Sequence, residues 1–147
     1  MNEIQQRQKK ILDMFAPFKD WDLKYKKIIE LGKLLEAYPE SERKEENKVK
    51  GCQSQVWLHA ELGSDNKVIF HADSDALIVK GLVYLLLSVY SKLTPDEILG
   101  LQPDYLKELG LSSHLTPSRS NGLNAMLKQI QNYAIAFKYL QNSKNNL

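Results

Sequence analysis

The chain contains a single cysteine, Cys52, which is the side chain best suited to covalent chemistry. It follows Gly51 and precedes Gln53, where a charged segment gives way to an alternating apolar pattern. Glycine adopts backbone angles that other residues avoid, so we expect a tight, exposed loop that presents the thiol. One cysteine excludes an internal disulfide, a CxxC redox pair and a metal or cluster site made of cysteines alone.

Spacing alone leaves two interpretations of Cys52 open. A lone cysteine of an intracellular protein is commonly a small buried hydrophobic residue. The loop position and the polar neighbours favour a reactive thiol instead. A free thiol has a pKa of about 8.5; nearby Lys48 and Lys50 would increase the thiolate fraction, whereas apolar burial would decrease it.

Three histidines, His59, His71 and His114, are the candidate partners of Cys52. A histidine that meets the thiol in space would act as a general base, which makes a Cys–His hydrolase the competing enzyme class. No local signature of a cysteine hydrolase is present, and no pair of ligands has the short spacing of a zinc motif. We therefore expect structural roles for all three histidines.

Charged residues at two predicted helix starts are further candidates. Asp73 and Asp75 flank the start of a central helix, where a carboxylate accepts hydrogen bonds from free backbone N–H groups, so at least one of them should be a cap. Arg119 lies in the first turn of the last helix, where the helix dipole disfavours a cation. It therefore forms a salt bridge within the chain or faces an external partner.

Composition and charge exclude several classes of protein. The 20 basic and 18 acidic residues are intermixed, without the basic stripe and interleaved aromatic residues of a nucleic-acid groove. The N-terminal region has no continuous apolar h-region, so no signal peptide is predicted. The longest apolar run, residues 82–87, falls short of the roughly 20 residues that span a bilayer. We expect a cytoplasmic protein that binds neither nucleic acid nor membrane.

The N-terminal third is predicted to form two helices, which a charged segment follows. Apolar residues recur at helical spacing over residues 3–15 and 21–38, with Asp20 as a candidate N-cap and Pro39 as a stop. Residues 40–50 mix acids and bases with almost no apolar side chain, and we expect a solvated connection there.

After Cys52 the apolar residues change from helical spacing to alternation, which predicts a β-hairpin. Apolar residues alternate over residues 56–62 and 68–72, and turn-forming residues 63–66 separate them. One register places His59 and His71 on the same outer face, and a two-residue shift is equally permitted. A sheet that is stable alone needs a third strand, for which only residues 49–51 are available.

The rest of the chain is predicted to be helical. A strongly apolar helix over residues 76–93 should be central to the core. Thr94 to Glu97 has the spacing of a capping box, and further helices are expected over 104–109 and from Thr116-Pro117 onward, with a frayed polar tail at 141–147. The pattern predicts one α+β domain over residues 1–147, with helices packed on one face of a small antiparallel sheet.

Three segments resemble the motifs of a known family. The run from Gly51 to Trp57, GCQSQVW, resembles the cysteine signature of the SufE family of sulfur acceptors, which includes the CsdE proteins. Residues 73–82 and 114–126 resemble the second and third motifs of that family. All three occur in the family's order and span about half of the chain.

The resemblance implies an α+β fold shared with the cluster scaffold IscU. It also implies that Cys52 accepts persulfide sulfur from a pyridoxal-phosphate cysteine desulfurase of the SufS or CsdA type, stimulates that enzyme and passes sulfur to a SufBCD-like scaffold complex for iron–sulfur cluster assembly. Such a protein is an accessory carrier rather than an enzyme, and its only modification is a transient persulfide. A scaffold of the IscU kind needs three cysteines, which this chain lacks.

The resemblance further implies which residues surround the thiol. Gly51 and Gln53 would shape the loop, and Asp75 and Arg119 match positions associated with loop mobility and desulfurase contact. His114 belongs to the third motif and is carried over as a partner-binding candidate. A homodimer is compatible with the sequence, which leaves the oligomeric state open.

Overall fold

The computed structural model describes residues 1–145, and within them helices flank one two-stranded sheet. In chain order the elements are α1 (Glu3–Phe15), α2 (Trp21–Gly32), β1 (Val56–Leu62), β2 (Val68–Ser74), α3 (Leu77–Tyr90), α4 (Pro95–Gly100), α5 (Asp104–Glu108), α6 (Leu111–His114) and α7 (Pro117–Asn145). Two short 3-10 turns, Glu40–Glu42 and Glu45–Asn47, lie between α2 and β1. The predicted α+β class is confirmed.

The alternating apolar residues form the predicted antiparallel hairpin. Val56 pairs with Ser74 and His59 pairs with His71, whose rings stack with centroids 4.9 Å apart, so the structure selects one of the two permitted registers. Successive side chains of a strand point to opposite faces, and one face of the hairpin is buried against apolar residues of α3 and α7. Helices therefore pack on one face of the sheet, as expected.

The candidate third strand is reduced to a single bridge. Lys48 bridges to Trp57, and the Val49 N–H donates to the Val56 carbonyl at 2.8 Å. Gly51 then has a φ of 95°, which turns the chain away from the sheet before a ladder can extend. On the opposite edge, a bridge between Val68 and Leu93 covers the start of β2.

The second helix is shorter than predicted and ends at Gly32 instead of Tyr38. The helix ends at a close crossing with α3. A Cβ atom on Gly81 would lie 2.1 Å from the Ile28 carbonyl oxygen, and one on Gly32 would lie 2.7 Å from the Gly81 nitrogen. Beyond this contact the chain leaves the helix, and Tyr38 is buried beside the sheet with its hydroxyl 2.8 Å from His59 Nδ1.

The charged connection over residues 40–50 is not the simply solvated segment that the sequence predicts. Arg43 lies over the rings of Tyr38 and Trp57, 5.4 Å and 4.8 Å from their centroids. Its guanidinium also donates to the Asp73 carboxylate at 2.6 Å. The connection thus covers the outer face of the hairpin, because its cation finds two aromatic faces and a carboxylate there.

The predicted cap of α3 is wrong. Ala76 occupies the N-cap position, and neither Asp73 nor Asp75 forms a capping hydrogen bond. Asp73 pairs with Arg43 and with Lys80, whose Nζ lies 3.4 Å away, so the carboxylate is engaged elsewhere. The capping box predicted at Thr94 and Glu97 is confirmed, with both reciprocal hydrogen bonds present.

The last helix buries the predicted apolar stripe, which includes Leu123, Met126, Ile130 and Ala134. Where the sequence predicts a frayed polar tail from residue 141 onward, α7 continues as a helix to Asn145. Asparagine and glutamine lower helix propensity only modestly, so an established helix can extend across them. Residues 146 and 147 lie outside the described residues.

Buried side chains form one cluster that runs from Ile11 of α1 to Ala134 of α7. Helix α3 contributes most of its residues to this core, as its strongly apolar sequence predicts. No helix within residues 1–145 combines the length and the apolar character needed to cross a membrane.

We predict that Gly81→Ala destabilises the protein by about 1–3 kcal/mol, because the new methyl group would push α2 away from α3. Urea unfolding measures the change. Gly100→Ala is the matched control, since a Cβ at Gly100 would meet no heavy atom of the described residues within 4 Å apart from its own chain neighbours and the backbone of its own helix. Equal unfolding midpoints for the two variants would contradict the crossing as the reason for glycine at position 81.

Candidate functional site

The thiol lies in a short loop, residues 50–55, which we call the Cys52 loop. Its ends are anchored by hydrogen bonds to the hairpin and the start of α3. On one side, the Val49 N–H donates to the Val56 carbonyl, as described above. On the other side Asp75 Oδ1 accepts from the Gln55 N–H at 3.0 Å, and Ser74 Oγ donates to the Gln55 carbonyl at 2.9 Å. The loop is therefore held at its base while its middle faces α7.

Cys52 is half-buried at the surface of α7. Its Sγ atom donates a weak hydrogen bond to the Gly122 carbonyl oxygen at 3.7 Å. Gly51, just before it, has a positive φ that only glycine adopts without strain, and a Cβ at Gly51 would lie 3.4 Å from the Ala125 side chain. The expected glycine-dependent turn is present, and it directs the thiol toward the helix.

A cavity of about 340 Å³ surrounds the sulfur. Its apolar wall comes from α3 and α7, and its polar wall comes from the Cys52 loop and the first turn of α7. The lining residues are Cys52, Gln53, Ser54, Val79, Leu82, Thr116, Ser118, Arg119, Gly122, Leu123 and Met126. A sulfur atom in this cavity has apolar groups on one side and polar groups on the other.

Burial raises the pKa of the Cys52 thiol above its ordinary value. The two lysines near it in sequence do not reverse this effect. Lys48 pairs with Glu45, 3.1 Å away, and Lys50 is exposed. Of the two opposing effects that the sequence predicts, desolvation is the stronger, so the resting side chain is a protonated thiol at neutral pH.

Arg119 lines the same cavity and stacks over the ring of Tyr25, with its guanidinium carbon 5.7 Å from the ring centroid. Among residues 1–145 no carboxylate lies within salt-bridge distance of it. Of the two possibilities that the sequence left open, the intramolecular salt bridge is therefore absent from the described part of the chain. The cation remains available beside the thiol.

The three histidines are engaged away from the sulfur. His59 contacts Tyr38 and His71, and His71 Nε2 lies 3.0 Å from a Glu61 carboxylate oxygen. His114 stacks on Trp21, with ring centroids 4.7 Å apart, and its Nδ1 lies 3.0 Å from the Gly110 carbonyl. No histidine is among the described residues that line the Cys52 cavity. The geometry of a Cys–His hydrolase is therefore not formed by the described residues.

The structure brings together most of the residues singled out in the sequence. Cys52, Gln53 and Arg119 share the cavity, and Gly51 and Asp75 hold the loop that enters it. His114 does not line the cavity, and its Nδ1 contacts the Gly110 carbonyl at the start of α6. Within residues 1–145 no three His, Cys, Asp or Glu side chains lie close enough together to hold a metal ion.

Sequence reasoning missed the contributions of α3 and the role of position 122. Val79 and Leu82 lie on one face of an apolar helix, and nothing in the local pattern indicates that they approach the sulfur. Gly122 offered a signal that could have been used, since glycine inside a long helix is unfavourable and requires a reason.

A comparison with protein families gives a match over residues 9–134 to SufE, the Fe-S metabolism associated domain. The match spans the Cys52 loop, the hairpin and most of α7. The chain belongs to the SufE family. Iron–sulfur metabolism is therefore its functional context, and the resemblance of the three motifs is confirmed.

A solved structure supports the fold. The solution structure of a hypothetical protein from Thermus thermophilus is similar to this chain with a TM-score of 0.73 and 24% sequence identity. The match covers 90% of this chain and 96% of that chain. At this identity the likeness supports the fold alone.

We predict that the thiol of this SufE-family protein ionises at a higher pH in the folded chain than in the unfolded chain. Because only the thiolate is alkylated at an appreciable rate, folded protein should react several-fold more slowly at neutral pH and approach the unfolded rate at alkaline pH. Iodoacetamide labelling across roughly pH 6 to 10, followed by intact mass, measures this difference with and without urea. A folded midpoint at or below the unfolded one would contradict it.

We predict that Asp75→Ala loosens the Cys52 loop, because the Gln55 N–H loses its carboxylate acceptor. Alkylation of Cys52 should become several-fold faster at a fixed pH. Asp13→Ala is the control, since Asp13 is an exposed residue of α1 that pairs with Lys9. If both variants react at the wild-type rate, Asp75 does not restrain the loop.

Proposed function

We propose that this protein accepts sulfur from a pyridoxal-phosphate cysteine desulfurase on Cys52 and carries it as a persulfide to iron–sulfur cluster assembly. The observation that carries the proposal is the single half-buried thiol of a SufE-family chain, held in an anchored loop at the edge of a cavity. The cavity has room beside the sulfur, and the thiol lies within reach of the surface.

The transfer step is an exchange at sulfur. The Cys52 thiolate attacks the outer sulfur of a persulfide on the desulfurase, a new S–S bond forms on Cys52, and the S–S bond of the enzyme breaks. The electron pair of that bond leaves with the inner sulfur, so the enzyme regains its thiolate and Cys52 gains a persulfide. No external oxidant or reductant is needed, and the rate depends on thiolate fraction and access.

The raised pKa of Cys52 is consistent with a carrier that is inactive until it meets its partner. A protonated, half-buried thiol reacts slowly with small oxidants and electrophiles. Exposure of the loop by the desulfurase would return the pKa toward its ordinary value and increase the thiolate fraction. The same shielding would protect the persulfide during transit.

Two features support a loop that can be drawn out by a partner. Gly51 supplies a flexible position before the cysteine. Gln55 lies outside the paired strands, and its anchor consists of the Ser74 and Asp75 side chains and one long backbone hydrogen bond from the Asp75 N–H at 3.3 Å. Arg119 lies beside the thiol without a carboxylate partner among the described residues, so an acidic group on the desulfurase would complement it.

In this proposal the protein has no turnover of its own and needs no bound cofactor. The receiving partner would be a SufBCD-like scaffold complex, because the sulfur must reach the site of cluster assembly. A cytoplasmic location is part of the same proposal.

We predict that a cysteine desulfurase with free cysteine adds the mass of one sulfur atom to this protein and releases sulfide faster in its presence. Intact mass spectrometry follows the first effect, and sulfide release with a thiol reductant follows the second. Cys52→Ser should abolish both effects while leaving the fold unchanged, since the substitution removes only the nucleophile.

Reversal of the added mass by reductant identifies it as a persulfide. The matched control is Ser64→Ala, which changes an exposed serine of the hairpin turn, away from the Cys52 cavity. No added mass and no stimulation with any desulfurase from the same cell would overturn the proposal.

A further inference from the structure

Gly122 occupies an unusual place in α7. It is the sixth residue of a helix that extends from Pro117 to Asn145, and it is buried. Glycine is the least favourable residue apart from proline in a helix interior, because it has the most backbone freedom to lose. A glycine at this position therefore indicates that a side chain would interfere with something.

The close backbone contacts that explain Gly32 and Gly81 are absent at Gly122 in the described part of the chain. At Gly32 and Gly81 an added Cβ would collide with the backbone of the neighbouring helix. At Gly122 the nearest heavy atoms that an added Cβ would meet outside α7 belong to Cys52, with Sγ at 3.4 Å and Cβ at 3.9 Å. These are ordinary contact distances, so an alanine would fit beside the thiol as it stands.

The space is thus larger than the resting thiol requires, and we propose that it accommodates the outer sulfur of the Cys52 persulfide. This inference rests on the proposed function. An S–S bond is about 2.05 Å long, so a methyl group 3.4 Å from Sγ would overlap an outer sulfur that turns toward α7. Without the methyl group, the outer sulfur can lie between the helix backbone and the apolar wall.

The apolar side of the cavity would shield the outer sulfur of the persulfide from solvent. Val79, Leu82 and Met126 line it together with Gly122, so a sulfur directed toward α7 leaves the solvent-facing side of the cavity. A reductant must reach the S–S bond to cleave it, and access controls that rate. Gly122 therefore acts as a positioning residue that shields the persulfide, while the nucleophile remains Cys52.

The test compares Gly122→Ala with wild type after loading by inorganic polysulfide at alkaline pH, where the folded thiol ionises, in the absence of any desulfurase. The Cys52 thiolate attacks a sulfur of the polysulfide, a persulfide forms, and the polysulfide leaves one sulfur shorter. Dithiothreitol then returns the Cys52 thiol, releases hydrogen sulfide and is itself oxidised to the cyclic disulfide. Intact mass against time measures the lifetime of the persulfide in dithiothreitol.

We expect the persulfide of Gly122→Ala to be lost at least about five-fold faster than that of wild type, because its outer sulfur is forced toward solvent. Gly100→Ala, which carries the same substitution in open space, should match wild type. Unfolding in urea checks that Gly122→Ala is folded, and alanine in a helix favours that result. Alkylation of the unloaded thiol should change much less than persulfide lifetime.

Three outcomes would overturn the inference. Equal lifetimes in the wild type and Gly122→Ala would show that the space is not used by the outer sulfur. An equal acceleration of alkylation in the unloaded protein would show that Gly122 seats the thiol instead. Failure of polysulfide to load the wild type at an alkaline pH where iodoacetamide alkylates Cys52 would show that the cavity does not admit a second sulfur. Failure of a desulfurase to load a protein that polysulfide loads would count against the proposed function alone.

Discussion

The Cys52 sulfur lies against the backbone of α7 and is half removed from water, and the properties of the site follow from that contact. Desolvation disfavours the thiolate and raises the pKa of the thiol. The hydrogen bond to the Gly122 carbonyl engages the protonated form, which is the form that can donate. Both effects lower the thiolate fraction of Cys52 in the resting structure and so slow its reaction with small electrophiles.

The position of the sulfur depends on three separate parts of the chain. The hairpin and the residues after it hold the base of the Cys52 loop, α7 supplies the surface that the loop meets, and α3 supplies the apolar wall. Gly81 determines where α3 lies, because the missing side chain lets the α2 backbone approach directly. Val79 and Leu82 lie on the same helix and line the Cys52 cavity. Helix α3 therefore takes part both in the crossing with α2 and in the wall of the cavity.

The charged segment before Cys52, residues 40–50, also helps to position the site. Arg43 joins two aromatic rings to the Asp73 carboxylate and thereby covers the outer face of the hairpin. Burial of Asp73 would raise its pKa, but the hydrogen bonds from Arg43 and from the Ser74 backbone, with the Lys80 charge nearby, lower it overall. Since Asp73 is followed directly by Ser74 and Asp75, this ion pair also positions the residues that anchor Gln55.

Local pattern in the sequence was sufficient for the α+β class, the hairpin and the capping box of α4, because each depends on periodicity or turn chemistry. A count of one residue type singled out Cys52 as the candidate for covalent chemistry. The ion pair of Asp73 with Arg43 joins residues 30 positions apart, so tertiary packing alone decided it. The raised pKa of Cys52 was likewise decided by tertiary packing. Lysines close in sequence favoured the thiolate, but the pKa follows the atoms that surround the sulfur in space, and these come from α3 and α7.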